Sequence, residues 1–555
     1  SKNKQLNIPI DLSLNGQDFY YYFDAQSLQL SLGDKLIYYF EVWDNDGVNG
    51  SKSTRSLSME YRLPSAEEIE KKSEEISNQT KSDLKALMKE SEKILKDIEE
   101  LKKKMIDKNQ PGWEEKNKME GLLKQLQNIK KEIENVTAQQ EQQHQLNNQI
   151  NPLDEELMRK QEELQKRFND LFTDEMKQTM NEIQMLMQQN IDKNKFNDML
   201  QKMELSTEEL NKQLDRDLEL FKQLEFEKKF ESTLEKAFEL AEKQQKLAEE
   251  TATKDADSKQ QMEKQQELQN EFQQMMEDIK ALEKINKGLE DPYTIPDLKN
   301  MEAEIKQKMN EAVNQLQKNK KSNSTESQKQ AGEKMQEMAE EMESSFQEEQ
   351  SENIEEDMRA IRQILDNIIK VSFEQEDVMI RLSKTKPQDP ALQQIIQEQL
   401  KMKDNLRMIE DSISAVARRQ QQVSSYITKQ IANINNAQKQ ILETIQMTQD
   451  IMPQYYRYAP NYNQAVSKQQ YVMTGLNDLA LMLAESLNKM KESQNNSSCE
   501  TGSCKKNKGT KPGSSGSKSM KSLREMQEKL NQQLEELRQQ MQNPGQKQGE
   551  GQKNQ

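Results

Sequence analysis

Few residues in this 555-residue chain are of the types that perform covalent chemistry, and their surroundings decide what they could do. The one histidine, His144, sits within QQEQQHQLNNQ. Ser–His, Cys–His and histidine-ligated metal chemistry each need an imidazole held by a rigid shell, and the expectation in this polar run is a solvated ring. Cys499 and Cys504, spaced C-x4-C, could close a small disulfide loop or remain free thiols, according to redox compartment. They do not make a zinc site, which needs four ligands, because His144 is far away in sequence. Asp44-Asn45-Asp46-Gly47-Val48-Asn49-Gly50 resembles the start of a calcium loop, but the twelfth position, where a bidentate Glu belongs, is Arg55. It reads as a tight loop joining two strands. Two lookalikes of a phosphate loop, at 47–53 and 509–519, fail because Ser51 and Ser517 separate Gly from Lys. The abundant carboxylates alternate with lysines at helical spacing, a pattern of i,i+4 pairs rather than of an acid/base couple. The expectation is a chain with no catalytic residue, no cofactor and no metal. A hydrolase running on carboxylates alone is the least supported reading.

The elements that carry these residues follow from composition. Apolar residues are 32% of the chain, against about 45–50% in globular domains, and mean hydropathy is −1.10. There are 70 glutamines but only 16 glycines and 12 prolines. One compact core of this size is excluded, as is an α/β body with Gly-rich turns and continuous Val/Ile strands. Long helices remain. Net charge is 80 − 97 = −17 with the signs interspersed, so there is no basic stripe for a phosphate backbone and nucleic acid is not an expected partner. The same field disfavours broad adsorption to anionic lipid. No run of about 18 apolar residues offers a membrane span.

Residues 1–63 differ from the rest. Tyr and Phe crowd into DFYYYFD and KLIYYFEVWD between turn residues, which predicts strands near 8–13, 18–24, 28–31, 35–44 and 54–63. An immunoglobulin-like sandwich has about seven strands. With Ser1 in place of Met, the expectation is a truncated, partial Ig-like β-sandwich. From Pro64 the period becomes helical. Ser65 and Glu68 match a capping box. Ile94, Ile98, Leu101 and Met105, then Leu122, Leu126, Ile129, Ile133 and Val136, form narrow a/d seams, and Pro111-Gly112 predicts an antiparallel hairpin between them. A first helical, coiled-coil region is expected over 64–285 and a second over 286–493. A seam from Leu406 to Ile445 predicts one helix across about 391–451, roughly 90 Å long. Breaks are expected at 286–297, 318–330, 384–390 and 451–463. Residues 494–520 read as a flexible linker, and 521–555 as a short helix with a disordered tail. The fold class is thus mainly α, a long antiparallel coiled-coil or helical-bundle region after a truncated sandwich.

PQYYRYAPNY, at 453–462, is an aromatic cluster within the helical part of the chain, with Tyr455, Tyr456, Tyr458 and Tyr462 around Arg457. It reads as a connector packed on the bundle or as a contact patch, since Tyr and Arg are enriched at interfaces. The methionines, at seam spacing, read as helix packing.

Four segments together carry a resemblance: YYFEVWDNDGVNGSKSTRS with the following PSAEEI, LDRDLELFKQLEFEKKFESTLEKAFELAEKQQKLAEET at 214–251, ILDNIIKVSFEQEDVM at 364–379, and GLNDLALMLAESLNKM at 475–490. They are similar to the large bacterial envelope proteins called the domain of unknown function 4175 family. The resemblance implies transmembrane helices upstream of Ser1, an Ig-like domain and a long helical region on the periplasmic side of the inner membrane. It supplies no catalytic residues. The expected function is a non-enzymatic scaffold of the cell envelope, anchored through a missing N-terminal segment, with envelope proteins as partners and self-association open. The alternative is a protein-binding module using the sandwich and the 453–462 patch.

Overall fold

A computed structural model describes residues 5–9, 11, 17–18, 21–23, 28, 30–44, 48, 50–147, 155–187, 192–253, 257–386, 389–420, 423, 425–451 and 462–500. Helix takes 82% of the described residues, in eleven helices. By internal contacts the chain divides into two compact units, Ser1–Lys229 and Phe230–Gln555.

The first unit opens with four short strands, β1 (Lys35–Tyr38), β2 (Glu41–Trp43), β3 (Ser53–Arg55) and β4 (Met59–Arg62). β1 pairs with β4 and β2 with β3, both antiparallel, so they are two stretches of one hairpin. Lys35 faces Arg62, whereas Glu41 faces Arg55: two residues on one arm stand opposite three on the other. That extra residue is a β-bulge, which bends the ribbon. Ser56 fills the gap, its Oγ accepting from the Phe40 N–H at 3.0 Å and its own N–H donating to the Phe40 carbonyl at 2.8 Å. Among the described residues the strands are those of this ribbon alone; the strands expected near 8–13, 18–24 and 28–31 fall largely outside the described residues. Period-two aromatic runs specify strands; they do not specify how many layers stack.

The capping box forms as expected: Ser65 Oγ accepts from the Glu68 N–H at 3.2 Å and Glu68 returns a carboxylate to the Ser65 N–H at 2.9 Å. It launches α1 (Ala66–Met105), which pairs with α2 (Trp113–Asn147). Thr80 meets Gln140 and Ser73 meets Gln143, so the two run antiparallel. At the turn, the buried Glu115 carboxylate accepts from Lys108 Nζ at 2.6 Å and the Gly112 N–H at 2.9 Å, and these bonds, the Lys108 one foremost, hold its pKa below the ordinary carboxylate value. The seam residues Ile94 to Met105 and Leu122 to Val136 are all buried, in one core with α3 (Glu155–Asp170), α4 (Asp174–Met187) and the first part of α5 (Lys193–Ala252).

The second unit comprises the rest of α5 with α6 (Ser258–Asn286), α7 (Lys299–Gln317), α8 (Lys321–Lys384), α9 (Ala391–Arg419), α10 (Ser425–Ile451) and α11 (Asn463–Glu500). Its antiparallel pairings show in side-chain contacts: Lys236–Asp278 and Lys243–Glu271 between α5 and α6, Ser327–Gln315 between α8 and α7, Arg381–Glu398 between α8 and α9, Lys468–Gln440 between α11 and α10. Two four-helix bundles result, α5–α6–α7–α8 and α8–α9–α10–α11. Both use α8, whose 64 residues span about 96 Å.

Three expectations need correction. The helix expected across 391–451 is two: α9 ends at Gln420, which is extended (φ −114°, ψ 112°), and α10 folds back along α9. The break expected over 318–330 is three residues, with Asn319 in the left-handed region (φ 53°), and α8 already begins at Lys321. Residues 494–500, expected to belong to a linker, are helical, since α11 continues to Glu500; the rest of that segment, 501–520, lies outside the described residues. Residues 521–555 lie outside the described residues.

Two helical glycines should respond oppositely to alanine. A Cβ on the exposed Gly121 meets nothing within 4 Å, so Gly121→Ala should stabilise by about 1 kcal/mol through helix propensity. A Cβ on Gly332 of α8 would stand 2.9 Å from Gln245 Cγ and 3.3 Å from the Ala241 carbonyl oxygen of α5. Gly332→Ala should therefore destabilise, and urea unfolding of both variants checks the opposite signs.

Candidate functional site

The polar side chains that the structure brings together most tightly are glutamines. Gln375 of α8, Gln399 of α9, Gln438 of α10 and Gln469 of α11 are each fully buried, one from every helix of the second bundle. Gln399 and Gln375 exchange amide bonds at 2.9 and 3.2 Å. Gln399 Nε2 also donates to Gln438 Oε1, Gln438 Nε2 donates to Gln375 Oε1 at 2.7 Å, and Gln469 Nε2 donates to Gln399 Oε1 at 2.7 Å. The layer is closed except for Gln469 Oε1, which has no partner among the described residues. A second amide layer lies in the first bundle, where Gln244 of α5 and Gln265 of α6 exchange bonds at 2.9 and 2.8 Å and Gln328 of α8 donates to Gln265 at 3.0 Å.

Each glutamine occupies a seam slot. Ile395–Gln399–Met402–Leu406, Ile434–Gln438–Ile441–Ile445, Val371–Gln375–Val378–Leu382 and Ala465–Gln469–Val472–Leu476 all step by four, three and four. A polar residue in an a or d slot is desolvated, and it recovers that cost only if its partners arrive at the same height. The layer therefore acts as a register key.

Where the bundles meet, a charge cluster performs a similar task. The buried Asp357 of α8 accepts from Arg419 Nη2 at 2.6 Å and from Gln420 Nε2 at 2.8 Å. Burial pushes its carboxyl pKa up, and the Arg419 bond pulls it back part of the way. Arg419 reaches on to Asp291 at 3.2 Å, and Arg418 to Glu290 at 2.7 Å, so the end of α9 is tied to the α6–α7 loop. That loop is folded around Asn286, whose amide bonds both the N–H and the carbonyl of Tyr293, and Phe346 stacks on Phe230 at 4.2 Å. In the first unit, Arg167, Arg216 and Asp217 are buried together, with the Asp217 carboxyl pushed up and the Arg216 guanidinium pushed down by burial.

The residues singled out from sequence fall elsewhere. Tyr455, Tyr456, Arg457 and Tyr458 lie outside the described residues, as does Cys504; Cys499 falls in the last turn of α11. Tyr462 is described and buried at the start of α11, its hydroxyl without a partner among the described residues and its pKa raised by burial. It is a packing residue there, not part of an exposed patch. His144 is half-buried near the end of α2 rather than fully solvated. Two open grooves of about 440 and 380 Å3 are present, one between α10 and α11 lined by Asn436, Gln440, Lys468 and Tyr471, the other on α2 beside Phe168 and Phe172. No protein-family model, curated protein or solved structure matches the chain.

Gln399→Leu should destabilise the second bundle by about 3 kcal/mol, because it orphans the amides of Gln375, Gln438 and Gln469 at once. Replacing all four by Leu should be neutral or stabilising, at the expense of unique pairing. Urea midpoints test the first statement. For the second, cysteines at Ser372 and Asn477, whose side chains are 3.0 Å apart, should cross-link fully with the glutamines present and incompletely without them, in a background lacking Cys499 and Cys504.

Proposed function

We propose that the chain is a non-enzymatic structural scaffold whose helices set distances and present surfaces to partner proteins. The observation that carries the reading is the use made of its buried polar groups. Gln375, Gln399, Gln438, Gln469 and Asp357 spend their hydrogen bonds on neighbouring helices, which fixes register and length. The placement in a bacterial envelope, as the extracytoplasmic part of a membrane-anchored protein, rests on the family resemblance of four segments alone. No helix among the described residues is long and apolar enough to cross a membrane, and the proposed anchor precedes Ser1.

The second reading, a protein-binding module, is favoured by one observation. Ile37, Val42, Trp43, Leu57 and Tyr61 are exposed, spread over both faces of the hairpin region, and so many uncovered apolar side chains on one short segment suit a contact site. A scaffold that docks a partner through this ribbon satisfies both readings.

Two measurements test the proposal. Spin labels at the exposed Lys329 and Glu376 of α8 should report a single distance of about 70 Å, the span of 376 − 329 = 47 helical residues; a short or bimodal distribution contradicts a fixed spacer. In cells, a cysteine at the exposed Met408 should react with a membrane-impermeant maleimide once the outer barrier is permeabilised and the inner one intact. Labelling only after complete lysis would reject the envelope placement.

A further inference from the structure

The tip of the α1–α2 hairpin leaves two bulky apolar side chains in water. Trp113, the first residue of α2, is 81% exposed, more than any other large apolar residue described in the helical part of the chain. Ile106, which caps α1, is 69% exposed. Neither is loosely held. The Glu115 carboxylate binds the Gly112 N–H and Lys108 across the turn, so Trp113, between Gly112 and Glu115, is presented on a fixed backbone. Lys193, at the start of α5, donates its ammonium to the Ile106 carbonyl at 2.8 Å and brings a third segment to the same end. Charge here runs against that of the molecule. Residues 102–118 and 192–195 hold eight lysines and four carboxylates, 8 − 4 = +4, in a chain of net charge −17. Two of those carboxylates are already spent, Glu114 on Lys104 at 3.1 Å and Glu115 on Lys108 at 2.6 Å. Lys116, Lys118 and Lys195 have no carboxylate partner among the described residues.

An exposed tryptophan among cations suits two kinds of surface, and the type of cation separates them. Protein interfaces favour Arg and are depleted in Lys, whereas all eight cations at this tip are Lys. Lysine with tryptophan is the pairing of a bilayer surface. There the indole sits at headgroup level, an aliphatic neighbour reaches the acyl boundary, and long lysine stems carry ammonium groups to anionic headgroups. We propose that the α1–α2 tip is a membrane-surface contact, in which Trp113 and Ile106 enter the headgroup boundary of an anionic bilayer and Lys116, Lys118 and Lys195 bind its phosphates. The charge of the chain as a whole opposes broad adsorption, and screening within a Debye length confines the attraction to this end. The 40 residues of α1 set the tip about 60 Å from the β ribbon, which stays clear of the bilayer. The inference rests neither on the scaffold reading nor on an anchor before Ser1.

The test uses the full chain carrying Trp43→Phe, which leaves Trp113 as the sole indole. The probes are vesicles of phosphatidylcholine alone or mixed equally with phosphatidylglycerol. With mixed vesicles the chain should float in a density gradient, and Trp113 emission should shift to the blue and be quenched by lipids brominated near the headgroup. Phosphatidylcholine alone should bind at least severalfold more weakly. Trp113→Ala, read by flotation, and the double variant Lys116→Gln with Lys118→Gln should each weaken binding to mixed vesicles about tenfold. Trp113 and Lys118 are exposed and Lys116 is half-buried, so helical dichroism should be unchanged in both variants. Absence of flotation and of the blue shift overturns the proposal, as does undiminished binding by either variant. A blue shift produced by lipid-free cell extract and not by vesicles would assign the tip to a protein pocket and overturn it equally.

Discussion

A primary amide that has lost water must find another amide, and much of this molecule follows from that requirement. A seam made only of Leu, Ile and Met is permissive, because sliding one helix by a heptad replaces one apolar contact with another of equal worth. Setting Gln375, Gln399, Gln438 and Gln469 at one height removes that freedom. In any shifted pairing the four side chains face hydrocarbon, and each orphaned group costs on the order of 1–3 kcal/mol. The native arrangement is selected less by what the amides gain than by what every alternative loses.

The same logic accounts for where the charges are. Ion pairs on exposed helix faces, such as Lys103–Glu99 and Lys124–Glu120, contribute little and keep the rods solvated. The pair formed by the buried Asp357 and the half-buried Arg419 is different. Asp357 accepts from both Arg419 and Gln420, so the end of α9 is fixed at the height where the α9–α10 turn must form, and Arg419 also fastens the α6–α7 loop through Asp291. Amide layers set register within each bundle, and this clamp sets where one bundle gives way to the next along α8.

The helical seams were legible in the sequence because burial repeats with the period of the helix. Ile94 to Met105, Leu122 to Val136 and Leu406 to Ile445 are buried as their spacing required, and Ser65 with Glu68 marked the first helix start to the residue. The reversal at Gln420 was hidden for a physical reason. Val416 and Val423 are seven apart and both buried, so the heptad phase runs unbroken through a turn that carries neither Gly nor Pro. The amide layers were hidden by abundance. Among 70 glutamines the few at seam slots look like the rest, until the apolar neighbours at minus four, plus three and plus seven are written beside them. Of the five expected strands, those near 35–44 and 54–63 are described and form the ribbon, whereas those near 8–13, 18–24 and 28–31 fall largely outside the described residues.

The glutamines of this layer are dry and mutually bonded, and hydrogen exchange of side-chain amides in chain labelled with nitrogen-15 at glutamine reads that state. Most NεH2 groups should exchange at once in deuterated water, whereas those of Gln375, Gln399 and Gln438 should persist with backbone-like protection. Each would be assigned by the loss of its signal on single replacement by Asn. Immediate exchange of all of them would contradict it.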